Sequence, residues 1–115
     1  MTEDLSFKPD ELPEDRSLII VDDDRAFLQR MVRAMEQRGF LVRSAFTVSE
    51  GIDLVRQSPP AFAVIDLRLE DGNGLDVIAE LTRVRPNARI IVLTGYGNIA
   101  TAVTAVKLGA VDYLA

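Results

Sequence analysis

Three aspartates stand where apolar stretches end. Asp22 and Asp23 follow the apolar run Leu18–Val21, and Asp66 ends a second run, Phe62–Asp66. In an open parallel sheet, ligands bind beyond the carboxyl ends of the strands, at the point where the strand order reverses. If these two strands are neighbours there, three carboxylates converge, and their repulsion raises the pKa of at least one of them. A hard divalent cation would offset that repulsion.

Magnesium is the cation that these residue types predict. It takes oxygen ligands, keeps several waters and commonly uses one or two carboxylates together with phosphate oxygens. The sequence contains no histidine or cysteine for a softer metal. An aspartate beside bound magnesium can attack phosphorus and form an aspartyl phosphate. We therefore predict that Asp66 is the nucleophile and that Asp22 and Asp23 hold the metal. The alternative, in which the acids only cap helices, stays open above all for Asp24.

Short apolar runs alternate with amphipathic segments along the chain. The pattern predicts five strands and four helices. The strands are 18–21, 41–45, 62–66, 89–93 and 111–115, and the helices are 25–38, 47–58, 75–85 and 98–108. Continuously apolar strands are covered on both faces, and their alternation with helices implies right-handed parallel βαβ units. We therefore predict an α/β fold with a doubly wound parallel five-stranded sheet in the flavodoxin-like order 2-1-3-4-5.

Two further side chains follow from this arrangement. Thr94 comes directly after the fourth strand and would place a hydroxyl on the same edge as the acids, although a threonine before glycine is also typical of a turn. Tyr113 lies in the last strand, where an aromatic side chain ordinarily packs on the sheet.

The charge of the chain is unevenly distributed. Of the net charge of −5, residues 1–16 contribute −4 from six acids and two bases. We therefore expect an acidic flexible N-terminal tail at 1–16 and one domain at 17–115. With no basic surplus, no helix-turn-helix pattern and no apolar run long enough for a membrane span, we expect no contact with nucleic acid or membrane and a cytoplasmic localisation.

The motifs resemble those of a known family. The stretches "IIVDDD", "VIDLRLEDGNGLD", "IIVLTGYG" and "GAVDYLA" are similar, in order and spacing, to the receiver domain of two-component response regulators, over residues 17–115. The residues within these motifs are further similar to those of the PrrA/RegA group of redox-responsive transcription regulators. The resemblance implies a signalling domain, not an enzyme in the ordinary sense, that takes a phosphoryl group from a sensor histidine kinase and controls transcription in the intact protein.

The resemblance also implies a role for each matching residue. These roles are phosphoacceptor for Asp66, direct Mg2+ ligand for Asp23, ligand through water for Asp22, carbonyl ligand for Arg68, switch hydroxyl for Thr94 and switch aromatic for Tyr113. The family has a lysine and a fifth helix directly after the segment matching "YLA", so we expect a domain incomplete at its C-terminus, with weakened phosphorylation. DNA binding would belong to the intact protein.

A partner surface is expected on the predicted fourth helix, "NIATAVTAVKL", because its outward face carries only one charge, Lys107. We expect a homodimer or other self-association through this helix and the fifth strand. The alternative function is a pseudo-receiver that acts only as an interaction module. A dinucleotide fingerprint at Gly95–Ala100 lacks a suitably placed acid, and Asp66–Val77 does not fit a calcium loop because Asp71 occupies the glycine position.

Overall fold

A computed structural model describes residues 14–93 and the backbone of 112–114. Its helices are α1 (Arg25–Gln37), α2 (Val48–Gln57) and α3 (Leu75–Val84). Its strands are β1 (Ser17–Val21), β2 (Leu41–Ala45), β3 (Phe62–Asp66), β4 (Arg68–Leu69), β5 (Gly72–Asn73), β6 (Arg89–Leu93) and β7 (Asp112–Leu114). The predicted elements within the described ranges are confirmed to within one or two residues at each end.

Five of the strands form one parallel sheet in the order β2-β1-β3-β6-β7. Counting only these five strands, the order is 2-1-3-4-5, so the predicted flavodoxin-like topology is confirmed. The reversal of strand order falls between β1 and β3. The carboxyl ends of these two neighbours therefore mark the expected position of a ligand site.

Helices cover both faces of the sheet. On one face, Leu28 of α1 packs with the buried side chains of Leu18, Ile20 and Val64. On the other face, α2 and α3 pack against Ile19, Val21, Ile65 and their neighbours through the buried residues Val48, Val55, Val77, Ile78 and Leu81. Burial of these apolar faces is the main favourable contribution to folding. The two central strands are thereby held rigidly side by side.

Two apolar side chains of the sheet are exposed to solvent. Ile91 of β6 is 39% exposed and Leu41 of β2 is 72% exposed. Leu41 begins the edge strand β2, which α1 contacts together with β1. Ile91 belongs to neither of the two apolar clusters on the described faces of the sheet.

Local signals in the sequence account for the helix ends. The sequence Thr47–Glu50 predicts a capping box at the start of α2, and one of its two hydrogen bonds forms, from the Glu50 N–H to the Thr47 hydroxyl at 3.1 Å. The Glu50 carboxylate accepts from the Phe46 N–H at 2.9 Å, one residue before the usual position. After α1, Gly39 adopts a φ of 95°, which a residue with a side chain rarely adopts.

The beginning of the described chain is tied to the domain. The Asp15 carboxylate accepts hydrogen bonds from Ser17 and forms an ion pair with Arg85 at 2.9 Å. These partners lower the pKa of Asp15 to about 2. The Ser17 hydroxyl in turn accepts from the Ala61 N–H at 2.8 Å. Residues 1–13 of the predicted tail lie outside the described residues, so the boundary at residue 17 stays a prediction.

None of the described helices combines the length and apolar character needed to cross a membrane.

We predict that Leu81→Ala lowers the free energy of unfolding by about 3 kcal/mol, because it removes a fully buried side chain from the core between α3 and the sheet. Urea unfolding would measure the difference. Leu41→Ala is the matched control, and we expect a change of less than about 0.5 kcal/mol there, because that leucine is 72% exposed. Equal losses for the two variants would contradict the assigned core.

Candidate metal centre

Three carboxylates converge at the carboxyl ends of β1 and β3. The parallel register pairs Val21 with Ile65, so Asp22 and Asp66 follow as neighbours on adjacent strands. Oxygen atoms of Asp22, Asp23 and Asp66 all lie within 4.8 Å of one another. The acids therefore meet where the strand order predicts, and their individual roles stay predictions.

Asp22 is the buried member of the cluster, with 5% of its surface exposed. Its N–H donates to the Ala45 carbonyl at 3.1 Å, which continues the β1–β2 pairing. Its Oδ1 accepts a hydrogen bond from the Asp24 N–H at 2.8 Å. Burial raises the pKa of Asp22 to about 6, and the negative charges of Asp66 and Asp23 add to this effect. A bound cation would stabilise the charged form of this carboxylate, which its environment otherwise disfavours.

Asp66 is half-buried at the end of β3, where it pairs with Leu93 of β6. Its Oδ1 accepts a hydrogen bond from the Arg68 N–H at 3.0 Å. Burial raises the pKa of Asp66, and the charge of Asp23 raises it further, while the hydrogen bond from Arg68 acts in the opposite direction. The Arg68 N–H thus orients the Asp66 carboxylate, which remains partly exposed to solvent.

Asp24 has a structural role. It is exposed, it is the N-cap of α1, and its Oδ1 accepts a hydrogen bond from the Phe27 N–H at 3.1 Å. Its own N–H fixes Asp22. For this third aspartate of the run, the capping interpretation accounts for the side chain.

The segment after Asp66 folds as a small hairpin, which the predicted elements do not include. β4 and β5 pair antiparallel, with Arg68 opposite Asn73 and Leu69 opposite Gly72. The Asp-Gly dipeptide at 71–72 is a general turn signal, but the two residues of this turn are Glu70 and Asp71, and Gly72 already belongs to β5. Arg68 is exposed and occupies the first position of the hairpin, so its predicted carbonyl ligand belongs to a structured segment.

Gly74 allows α3 to begin directly behind the acid cluster. Its N–H donates to the Leu67 carbonyl at 3.0 Å. A Cβ at this position would overlap the carbonyl oxygen of Asp66 and lie 2.9 Å from Cγ2 of Ile65. Any larger residue would therefore displace the backbone that carries Asp66. No pattern in the sequence marks this glycine, because its close contact with the Asp66 backbone arises only when the intervening hairpin folds.

The two predicted switch residues are not described to the same extent. Thr94 lies outside the described residues, as do Gly95–Ala100 and the predicted fourth helix at 98–108. The backbone of Tyr113 belongs to β7 and pairs with Val92, but its side chain is not among the described ones. The roles of both residues stay predictions.

The acid cluster suits a hard divalent cation. Mg2+ bonds its ligands at about 2.0–2.1 Å, and Ca2+ at about 2.3–2.6 Å. Two ligands on opposite sides of either ion are therefore roughly 4–5 Å apart, close to the 4.8 Å that spans the cluster. The donors are carboxylate oxygens, which both ions prefer. A bound cation would also offset the burial and the repulsion that raise the pKa of Asp22 and Asp66.

Comparison with known proteins gives a consistent result. The family model "Response regulator receiver domain" matches residues 18–115. The photosynthetic apparatus regulatory protein RegA of Cereibacter sphaeroides is 60% identical over 114 residues, which cover 99% of this chain and 60% of RegA. The acid tolerance regulatory protein ActR of Rhizobium meliloti is 65% identical over 101 residues, covering 88% of this chain and 52% of ActR. The chain thus spans between half and two thirds of these relatives.

A similar solved structure is a response regulator from Burkholderia pseudomallei with a phosphorylated aspartic acid, a calcium ion and citrate. It superposes with a TM-score of 0.81 at 43% identity and covers 87% of this chain and 59% of that chain. A CheY-like receiver domain protein from Methanospirillum hungatei gives a TM-score of 0.82 at 29% identity, covering 88% and 81% of the two chains.

We predict that the metal-free protein becomes more stable as the pH falls from 7 to 5. The folded state raises the pKa of Asp22 from 3.8 to about 6, so the folded chain binds this proton more tightly than the unfolded chain does. Stability therefore rises as the pH falls through 6, by about 1 kcal/mol between pH 7 and pH 5. Urea unfolding in the presence of a chelator would measure it.

Asp22→Asn is the control for this pH dependence and should flatten it. The pKa values of Asp15 and Glu80 are lowered to about 2, so these acids change stability mainly below pH 5. A metal-free protein that loses stability from pH 7 to pH 5 would contradict the assignment.

Proposed function

Because the chain belongs to the response regulator receiver domain family, we propose that Asp66 accepts a phosphoryl group from a phosphohistidine of a sensor kinase, with Mg2+ bound beside it. The observation that supports this proposal is the convergence of three carboxylate side chains within 4.8 Å at the β1–β3 edge. The phosphorylated aspartic acid and calcium ion in the Burkholderia pseudomallei relative support it further.

The transfer is a displacement at phosphorus. A carboxylate oxygen of Asp66 forms the new O–P bond while the P–N bond of the phosphohistidine breaks, and the electron pair of that bond returns to the imidazole ring. Bound Mg2+ would screen the negative charge of the acceptor and of the phosphoryl oxygens. Asp23 would hold the ion directly and Asp22 through water, and the carbonyl of Arg68 would complete the protein ligands. Slow hydrolysis of the aspartyl phosphate would reset the domain.

The response to phosphorylation would involve the strands beside Asp66. Leu93 of β6 pairs with Asp66, and Thr94 follows it in the sequence. We assign Thr94 as the hydroxyl that binds a phosphoryl oxygen and Tyr113 as the aromatic side chain that changes position with it. The backbone pairing of β6 with β7 supports a connection between these two positions.

The regulatory output belongs to the whole protein. RegA and ActR are named as regulatory proteins, and each is considerably longer than the matched region. We assign to the intact protein a role in transcription regulation, with DNA contacted by residues outside the receiver domain and with action in the cytoplasm. Its phosphoryl donor would be a cognate sensor histidine kinase.

We predict that Asp66→Asn abolishes labelling of the chain by radioactive acetyl phosphate, because the amide is not a nucleophile toward phosphorus. The wild-type chain should be labelled in the presence of Mg2+ and not in the presence of EDTA. Asp76→Asn is the matched control, since Asp76 is an exposed acid in the first turn of α3, outside the cluster, and it should be labelled like the wild type.

Two results would count against phosphoryl transfer to Asp66. Unchanged labelling of the Asp66→Asn variant would refute the acceptor assignment. A wild-type chain that neither takes up label nor binds beryllofluoride with Mg2+ would favour the pseudo-receiver, which only binds partners.

We also predict self-association through the predicted fourth helix and β7. This proposal is supported by the single charge on the segment "NIATAVTAVKL" and by the position of β7 at the edge of the described sheet. Light scattering should show an average mass that rises with concentration. Thr101→Glu, placed opposite the apolar positions of that helix pattern, should reduce it, whereas Gln29→Glu on the exposed side of α1 should not. A monomer at all concentrations would contradict the prediction.

A further inference from the structure

Asp71 connects the hairpin after Asp66 to a different element. It lies in the turn between β4 and β5, and its two carboxylate oxygens accept hydrogen bonds from the N–H groups of Val48 at 2.8 Å and Ser49 at 3.1 Å. These are the first two residues of α2. The contact joins residues 22 and 23 positions apart in the sequence.

The start of α2 is already capped from within. The Thr47 hydroxyl accepts a hydrogen bond from the Glu50 N–H. The Asp71 carboxylate accepts from the N–H groups of the two residues before Glu50. The first N–H groups of a helix have no partner inside the helix, and they attract negative charge. These hydrogen bonds lower the pKa of Asp71, so the tether persists as a charged contact at neutral pH.

The other end of the hairpin is attached to the acid cluster. The Arg68 N–H donates to Oδ1 of Asp66, and the Gly74 N–H closes the base of the hairpin on the Leu67 carbonyl. Leu69 is 8% exposed and packs in the core beneath it. The segment that follows Asp66 is therefore fixed at its base and through Leu69, and its tip is held by Asp71.

We propose that Asp71 is a positioning residue for the metal centre. By tying the tip of the hairpin to the start of α2, it holds the hairpin strand that carries Arg68 against the edge occupied by Asp22, Asp23 and Asp66. The inference rests on the proposed function, because Arg68 matters to the cation only as its carbonyl ligand. Without the tether the hairpin loses its outer support, and the carbonyl is less well placed before the cation binds.

Two variants separate this role from simple helix capping. Asp71→Ala and Thr47→Ala each remove a cap from the same end of α2, so both should lower the urea midpoint. Only Asp71→Ala releases the hairpin. We expect Mg2+ to bind roughly tenfold more weakly to Asp71→Ala and unchanged to Thr47→Ala, which is the low end of the range typical for loss of a residue that orients a metal ligand. Titration calorimetry with MgCl2 would measure both affinities.

Asp71→Asn keeps one acceptor oxygen and should give an intermediate affinity, and this variant carries the test if Asp71→Ala does not fold. Hydrogen exchange should show faster exchange at the Val48 and Ser49 amides in Asp71→Ala, and at the Glu50 amide in Thr47→Ala.

The outcomes distinguish this inference from the proposed function. If the wild type binds Mg2+ and both alanine variants bind it equally well, the positioning role is wrong and the acceptor assignment stands. If Thr47→Ala weakens Mg2+ binding as much as Asp71→Ala does, stability of α2 and not the tether controls the site, and the inference is again overturned. If the wild type itself binds no Mg2+, the proposed function fails first.

Discussion

The packing of this domain holds three carboxylates side by side although they repel one another. Asp22, Asp23 and Asp66 would separate if their strands could move, but Val21 and Ile65, which precede the acids on β1 and β3, are completely buried. Helices on both faces hold those strands in register. The unfavourable interaction is therefore retained at the edge of the sheet, where protonation or a divalent cation can relieve it. A bound divalent cation would offset both the burial and the mutual repulsion of these carboxylates.

The elements around the cluster limit how it can respond. Asp24 begins α1 while its N–H orients Asp22, and Gly74 begins α3 in contact with the backbone of Asp66. Asp22 and Asp66 are thus each connected to the start of a helix, on opposite sides of the sheet. The site is therefore in direct structural contact with the starts of α1 and α3 and with the hairpin that contacts α2.

The sequence predicted the fold and the position of the acids because both follow from local patterns. The apolar runs Leu18–Val21 and Phe62–Asp66, placed in the flavodoxin-like strand order 2-1-3-4-5, are sufficient to bring Asp22 and Asp66 together. The hairpin at 68–73 has strands of only two residues, too short for a periodic pattern. The contacts of Asp71 with α2 join distant parts of the chain, and the contact of Gly74 with the Asp66 backbone depends on how the hairpin folds. No periodicity marks either of them.

The separation of the acids along the chain has a consequence for the newly made protein. Asp22 and Asp66 are 44 positions apart, and α1, β2 and α2 lie between them. Closing such a long parallel connection is a slow and non-local step of folding. A nascent chain on the ribosome, or one with β3 detached, presents no complete binding site. The three carboxylates therefore come within reach of one cation only when β1 and β3 are paired in the completed fold.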